Sequence, residues 1–265
     1  MNPEEYEVMY QVEDAHWWYR GMEAITRAVL DRAIGRGRGR RILDAGCGTG
    51  GVMAYLSDYG SVTGFDFAAE ALRFCQARRL DRLSRASVLA LPYADASFDL
   101  VTSFDVLCER GVVDDEAALR EFARVLWPPP PLSPPRSGGD RGGGGEGGRL
   151  LLRLPAYNWL RGKHDAAAYI RRRYTARELK RKLRQANFEL ERVSYANMLL
   201  FPAAVLKRAS ERILPSRQTG SDLTIDLGAL NTPLKWILSL EAPLVARAGL
   251  PFGLTVLALA RRKYS

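Results

Sequence analysis

Asp44, Gly46, Gly48 and Gly50 stand at every second position of Leu43–Gly50 (LDAGCGTG), with Cys47 between two of the glycines. Glycines let a backbone turn sharply and approach a ligand with no Cβ in the way. A helix starting just after such a turn directs free N–H groups at the same ligand. Sixteen residues after Gly50 comes Asp66, followed by Phe67. A carboxylate at that point can accept hydrogen bonds from both ribose hydroxyls of an adenosine. The chemistry on offer is the binding of a nucleoside through its sugar and its polar tail.

Two ligands satisfy that pattern. Gly46-x-Gly48-x-x-Gly51 with an acid about 20 residues on also fits a dinucleotide fingerprint. Three features favour the methyl donor S-adenosyl-L-methionine. Asp44 precedes the glycines where a dinucleotide strand is ordinarily apolar. Leu91-Pro92-Tyr93 and Ser97-Phe98-Asp99-Leu100 form a block leading into a strong strand, and no later segment offers a hydride-transfer site.

The elements that must position these residues follow from hydrophobic runs and turn signals. Strands are predicted over Arg40–Leu43, Ser61–Phe65, Arg85–Leu89 (a weak one), Phe98–Phe104, Leu150–Leu154, Phe188–Tyr195 and Leu254–Arg261. Helices fall between them at Val52–Tyr59, Ala68–Leu80 and Asp114–Trp127, and a capping box, Thr175-x-x-Glu178, opens another that ends near Asn187. Alternation of this kind implies an α/β fold with an open, mostly parallel sheet covered by helices. Pro128–Gly148 is Pro-rich and then Gly-rich with no apolar face, and reads as a disordered insert in a tight helix-to-strand turn. Residues 1–39 read as an aromatic helical cap, 40–195 as the core, 196–250 as a helical cap or substrate-binding insertion, and 251–265 as the final strand and tail.

With these pieces in place, LDAGCGTG, the acid in GFDF, LPYADASFDLV and the RVLWP…GGRLLLRLPAY junction resemble the class I, Rossmann-like methyltransferases, of the type 11-like kind. The resemblance spans roughly residues 40–195 and implies a seven-stranded sheet with an antiparallel last strand and S-adenosyl-L-methionine as cofactor. It implies that Ser87 and Val88 flank the adenine, with Ser87 standing where many relatives carry Asp. Phe104–Val106, including Asp105, would lie beside the methionine portion. Tyr10–Arg20 (YQVEDAHWWYR) resembles an aromatic leader found in some of these enzymes. Either it simply caps the sheet, or it closes over the cofactor with Tyr19 or Arg20 meeting its carboxylate and Trp17 and Trp18 facing the acceptor.

Methyl transfer is an in-line displacement, so alignment and water exclusion are the main demands, with a general base added for a hydroxyl or ammonium acceptor. The chain has two histidines, His16 and His164, both in segments expected to border the pocket. His164 and Asp165 could act as base and orienting carboxylate, with His16 and Asp105 as further candidates. The bland alternative pairs Asp165 with Arg173 as a structural ion pair. Tyr157, Arg173 and Tyr174 lie in the loop expected to help form the acceptor site.

The acceptor is expected to be a small molecule or a glycan-related compound with an O or N nucleophile. A lipid-linked or quinone-like acceptor met at a membrane surface is the alternative, since Ala196–Leu214 and Leu234–Leu250 have apolar content suited to interfacial helices. A non-catalytic nucleic-acid or partner-binding module is a third class. The net charge of +9 concentrates in Arg161–Arg184, which suits an anionic partner or a solvated helix face, and no specific nucleic acid is predicted. Three scattered cysteines without a CxxC pair argue against a metal site or disulfide framework and for a reducing, cytoplasmic setting. The acidic, polar start does not read as a signal peptide, and no apolar run is long enough to cross a bilayer. Oligomeric state is not encoded in any of these features.

Overall fold

A computed structural model describes residues 3–128, 147–162, 165, 168–213 and 228–263. Two helices open the chain, α1 (Pro3–Val12) and α2 (Trp17–Ala33). There follow β1 (Arg40–Ala45), α3 (Gly51–Leu56), β2 (Gly60–Asp66), α4 (Ala69–Ala77), β3 (Leu83–Arg85), β4 (Leu100–Phe104), α5 (Asp115–Val125) and β5 (Arg149–Pro155). A short 3-10 turn at Asn158–Leu160 leads to α6 (Ala176–Gln185) and β6 (Phe188–Ala196). Three helices, α7 (Phe201–Ile213), α8 (Asn231–Leu240) and α9 (Ala242–Arg247), separate β6 from the last strand, β7 (Thr255–Arg262).

The seven strands form one sheet in the order β3-β2-β1-β4-β5-β7-β6. The first five run parallel, and β7 is antiparallel to both β5 and β6. This is the mostly parallel, seven-stranded α/β sheet with an antiparallel last strand and a helical insertion before it that the sequence implies. The central strands bury nearly every residue, as sheets covered on both faces do. Ile42, Leu43, Val101, Leu150, Leu152, Leu257 and Leu259 build the core with Met22, Ile25, Val29 and Leu30 of α2 and Leu119 and Phe122 of α5.

Two details depart from the sequence expectation. The weak third strand sits at 83–85 rather than 85–89, because the Ser87 hydroxyl accepts from the Leu89 N–H (3.2 Å) and turns the chain away from the sheet. Residues 129–146 of the Pro/Gly-rich insert lie outside the described residues; its flanks meet, with Gly148 N donating to Trp127 O at 2.7 Å.

The insertion and the N-terminal helices form one layer. α2 packs against α8 and α9, and a Cβ on Gly21 would stand 2.5 Å from Leu238 Cδ2, so only glycine allows that approach. Asn231, at the start of α8, accepts from Trp17 N (2.7 Å) and donates to Ala15 O (2.9 Å), pinning the α1–α2 link. Among the described residues no helix is long and apolar enough to cross a membrane.

Candidate active site

The glycine turn begins where β1 runs out. Gly46 N and Cys47 N both donate to Phe65 O at 2.9 Å, folding the turn over the end of β2. Gly46, Gly48 and Gly50 all have φ between +54° and +89°, the left-handed region glycine enters without strain. A side chain on Gly46 would run into Val106, one on Gly48 would stand 2.8 Å from Met9 Cε, and one on Gly51 would strike Glu13. The turn is thus a tight cradle with α1 lying over it.

Asp44 and Thr102 are register partners on adjacent parallel strands, so their side chains share a face. Asp44 Oδ1 accepts from Thr102 Oγ1 at 2.7 Å, while its buried Oδ2 has no hydrogen-bond partner among the described residues. Burial pushes this carboxyl up to about 7, against the pull of Thr102 and Arg153. Asp66 is tied down more fully. It accepts from Gly48 N (3.0 Å) and Ala68 N (2.9 Å), and burial raises its pKa despite those bonds. Phe67 is 72% exposed beside Arg85, whose guanidinium lies 5.9 Å from its ring.

A cavity of about 870 Å³ opens above these residues. Asp44, Gly46, Cys47, Gly48, Asp66, Phe67, Ser87, Val88, Phe104 and Asp105 line one half, with Tyr6, Met9 and Glu13 over them. His16, Trp17, Trp18, Tyr19 and Arg20, from the start of α2, also reach the wall. The rest of the wall is mostly apolar, with Leu160, Ile170, Leu200, Ala203, Ala204 and Leu234, although Asn197, Lys207 and Arg208 also reach it. Pockets for small ligands typically span ~300–1,000 Å³, so this cavity lies at the large end of that range.

Several expected site residues are placed elsewhere. Gly50 caps α3 and is not on the wall. Tyr157 stacks on Tyr195, with ring centroids 5.2 Å apart, behind the cavity. Tyr174 is wholly buried; its hydroxyl donates to Asp115 Oδ2 (2.7 Å), with Leu107 O also within reach (2.9 Å), so its contribution is to the core rather than to the cavity wall. Asp165 is held by Arg173 through Nε (2.7 Å) and Nη2 (3.0 Å) and also accepts from Gly162 N, a structural pair away from the cavity wall. Arg173 reaches the wall with its guanidinium committed to that pair. His164 lies outside the described residues. His16 caps α2, its Nδ1 accepting from Trp18 N (3.3 Å), and burial lowers its pKa. A neutral ring so bonded carries its proton on Nε2 and presents a donor, not a base.

Other wall residues were not singled out by the sequence. Glu109 is a carboxyl pushed up to about 7 by burial, with the charges of Asp66 and Asp105 adding to the effect. Asn197, at φ 62°, and Thr255 close the far end. Arg153 pairs with Asp105 (3.0 Å) between the rings of Phe104 and Trp18. Its signal was available: RLLLRLP places one charge inside an apolar strand.

Residues 43–129 match the family profile described as a methyltransferase domain. A demethylmenaquinone methyltransferase of Mycolicibacterium paratuberculosis is 37% identical over 110 residues, 41% of this chain and 46% of that protein. A malonyl-[acyl-carrier protein] O-methyltransferase of Enterobacter lignolyticus is 46% identical over 67 residues, 24% of this chain and 26% of that one. The chain therefore spans less than half the length of these relatives. Over the whole fold, a S-adenosylmethionine-dependent methyltransferase of Thermotoga maritima superposes with a TM-score of 0.58 at 16% identity, covering 98% of this chain and 96% of its own. Glycine turn, sheet order and profile match agree: residues 43–129 carry a methyltransferase domain, set in a sheet of the class I, Rossmann-like order.

Proposed function

We propose that the chain transfers a methyl group from S-adenosyl-L-methionine to an O or N nucleophile of an amphiphilic small-molecule acceptor held against the largely apolar wall of the cavity. The observation that carries this reading is Asp44: a buried carboxylate oxygen with no hydrogen-bond partner among the described residues, in a residue that lines the same cavity as the glycine turn. Such an atom is costly unless a donor arrives, and the ammonium of the donor's amino-acid end is the donor that fits. When bound, S-adenosylmethionine supplies an electrophilic methyl carbon on a good leaving group. Asp44, Gly46, Cys47, Gly48, Phe104 and Asp105 would hold its methionine half, with Asp66, Phe67, Ser87 and Val88 on the adenosine. Tyr6, Met9, Trp17, Trp18 and Tyr19 keep water out and confine the acceptor, which is how most of the acceleration of a displacement at carbon is obtained. The largely apolar wall favours an apolar or amphiphilic acceptor over a glycan.

Calorimetry with S-adenosylhomocysteine and with NAD tests the donor assignment. The expected result is micromolar binding of the former, lost on Gly48→Leu, and none of the latter; binding of NAD alone would overturn it.

A second reading has support of its own. Trp236 (65% exposed), Leu240 (62%) and Leu244 (49%) recur at helical spacing on α8 and α9, flanked by exposed Lys235 and Arg247. An apolar stripe edged by cations suits an anionic lipid surface, where a lipid-linked or quinone-like acceptor would be met. The chain should then sediment with phosphatidylglycerol vesicles and be released by Trp236→Glu. A chain that stays in the supernatant removes this reading and leaves the first intact.

A further inference from the structure

Arg153 is a guanidinium in the middle of β5, between Leu152 and Leu154, and both neighbours are fully buried. It is itself 7% exposed. A buried cation needs partners for its donors, and arginine presents a fork of five N–H groups. Asp105 occupies one edge of that fork, its Oδ2 lying 3.0 Å from both Nε and Nη2. The faces are covered by Phe104 (4.5 Å to the ring centroid) and Trp18 (5.1 Å).

The remaining edge, Nη1, has no hydrogen bond among the described residues, yet it is not among the fully enclosed unpaired atoms. Arg153 is one of the residues that line the cavity. Asp105 holds its side of the pair from a left-handed backbone, φ 62°, a conformation that non-glycine residues adopt uncommonly and mostly where surroundings impose it. An ion pair made only for the fold would not require a partner in an uncommon conformation and an unbonded donor edge. The arrangement is that of a planar fork fixed on one side and unbonded on the other.

We infer that Arg153 is the oxyanion receptor of this cavity, binding a carboxylate or an ionised hydroxyl through its unbonded edge while Asp105 and the two rings hold it in place. The inference rests on the reading of the cavity as a donor-plus-acceptor site. One chemistry has two sources there, the carboxylate of the donor's amino-acid end or an acidic group on the acceptor, and the experiment separates them.

Calorimetry on the full chain would compare S-adenosylhomocysteine, 5′-methylthioadenosine (the same nucleoside without the amino-acid end), and benzoate against benzamide with the nucleoside site filled. Losing a charge-assisted hydrogen bond should weaken an anion's binding roughly 10- to 100-fold. A donor carboxylate on Arg153 is indicated if Arg153→Met weakens S-adenosylhomocysteine by that factor and spares 5′-methylthioadenosine. An acceptor anion is indicated if the loss falls on benzoate, with both nucleosides unchanged; Arg153→Lys should restore part of either loss. The inference is overturned if neither anion is weakened by more than roughly twofold. Should Arg153→Met fail to fold, the wild-type chain decides. Preference for benzoate over benzamide, or a loss on Arg153→Lys confined to the carboxylate-bearing ligands, supports the receptor, and indifference in both rejects it. A wrong donor reading shows differently, as no binding of either nucleoside by the wild-type chain.

Discussion

At the scale of single residues, Asp44 concentrates what the glycine turn is built around. One oxygen is served by Thr102, the other is bare, and burial holds the carboxyl up to about 7. The sign of the consequence follows. A folded-state pKa raised above the ordinary ~3.9 of an aspartate means stability fully present below that value and lost as pH rises through about 7. A ligand that brings a cation to the bare oxygen prefers the ionised form, so affinity for S-adenosylhomocysteine should rise between about pH 6 and pH 8. Asp44→Asn should flatten both dependences, read by calorimetry and by thermal melts across that range; a wild-type affinity that does not change with pH would reject this account. Asp44 and Asp66 were legible in the sequence because their spacing from the glycines is local. Tyr174 was not, because its partner Asp115 is brought to it only by the folded chain; for Asp165 the sequence offered both a catalytic role and the Arg173 pair, and only the folded chain chooses the pair.

At the scale of elements, α1 is fastened over the turn by a small set of contacts. Glu13, just past its end, accepts from Thr49 Oγ1 and Arg78 Nη2, and Arg78 also reaches Asp14 (3.0 Å). Tyr10 stacks on Phe74 of α4 at 4.8 Å. Burial raises the Glu13 pKa, opposed by the Thr49 hydrogen bond and by the charge of Arg78. Arg78→Met should therefore free α1 locally, speeding amide exchange in residues 5–12 by about tenfold or more with the sheet unaffected. Uniform protection across the chain would show that Arg78 carries no such role. Strands and helices were legible wherever hydrophobic period and caps agreed, as at α5, where the Asp114 carboxylate accepts from Glu116 N and Ala117 N. The third strand was misplaced because Ser87 reads as strand-compatible until its hydroxyl is seen bonding Leu89.

At the scale of the whole molecule, the charge distribution changes meaning on folding. Arg161–Arg184 reads as a basic patch, but Arg172 pairs with Glu178 and Asp115, Arg173 with Asp165, and Lys182 with Asp115 and Glu116. Asp115 and Glu116 lie far back in the chain, on α5, so no local window could cancel those charges. The sheet order has a similar reach. Among the described strands β6 has one neighbour, β7, which sits between it and β5. During synthesis, then, residues 188–196 leave the ribosome with no strand to join, and must wait for α7, α8, α9 and finally residues 255–262. Until those last residues emerge, β5 also keeps an open edge beside the finished nucleoside floor. Strand edges left open in this way are sticky toward other chains, so the newborn protein is most exposed to misassembly when all but its final strand has been made.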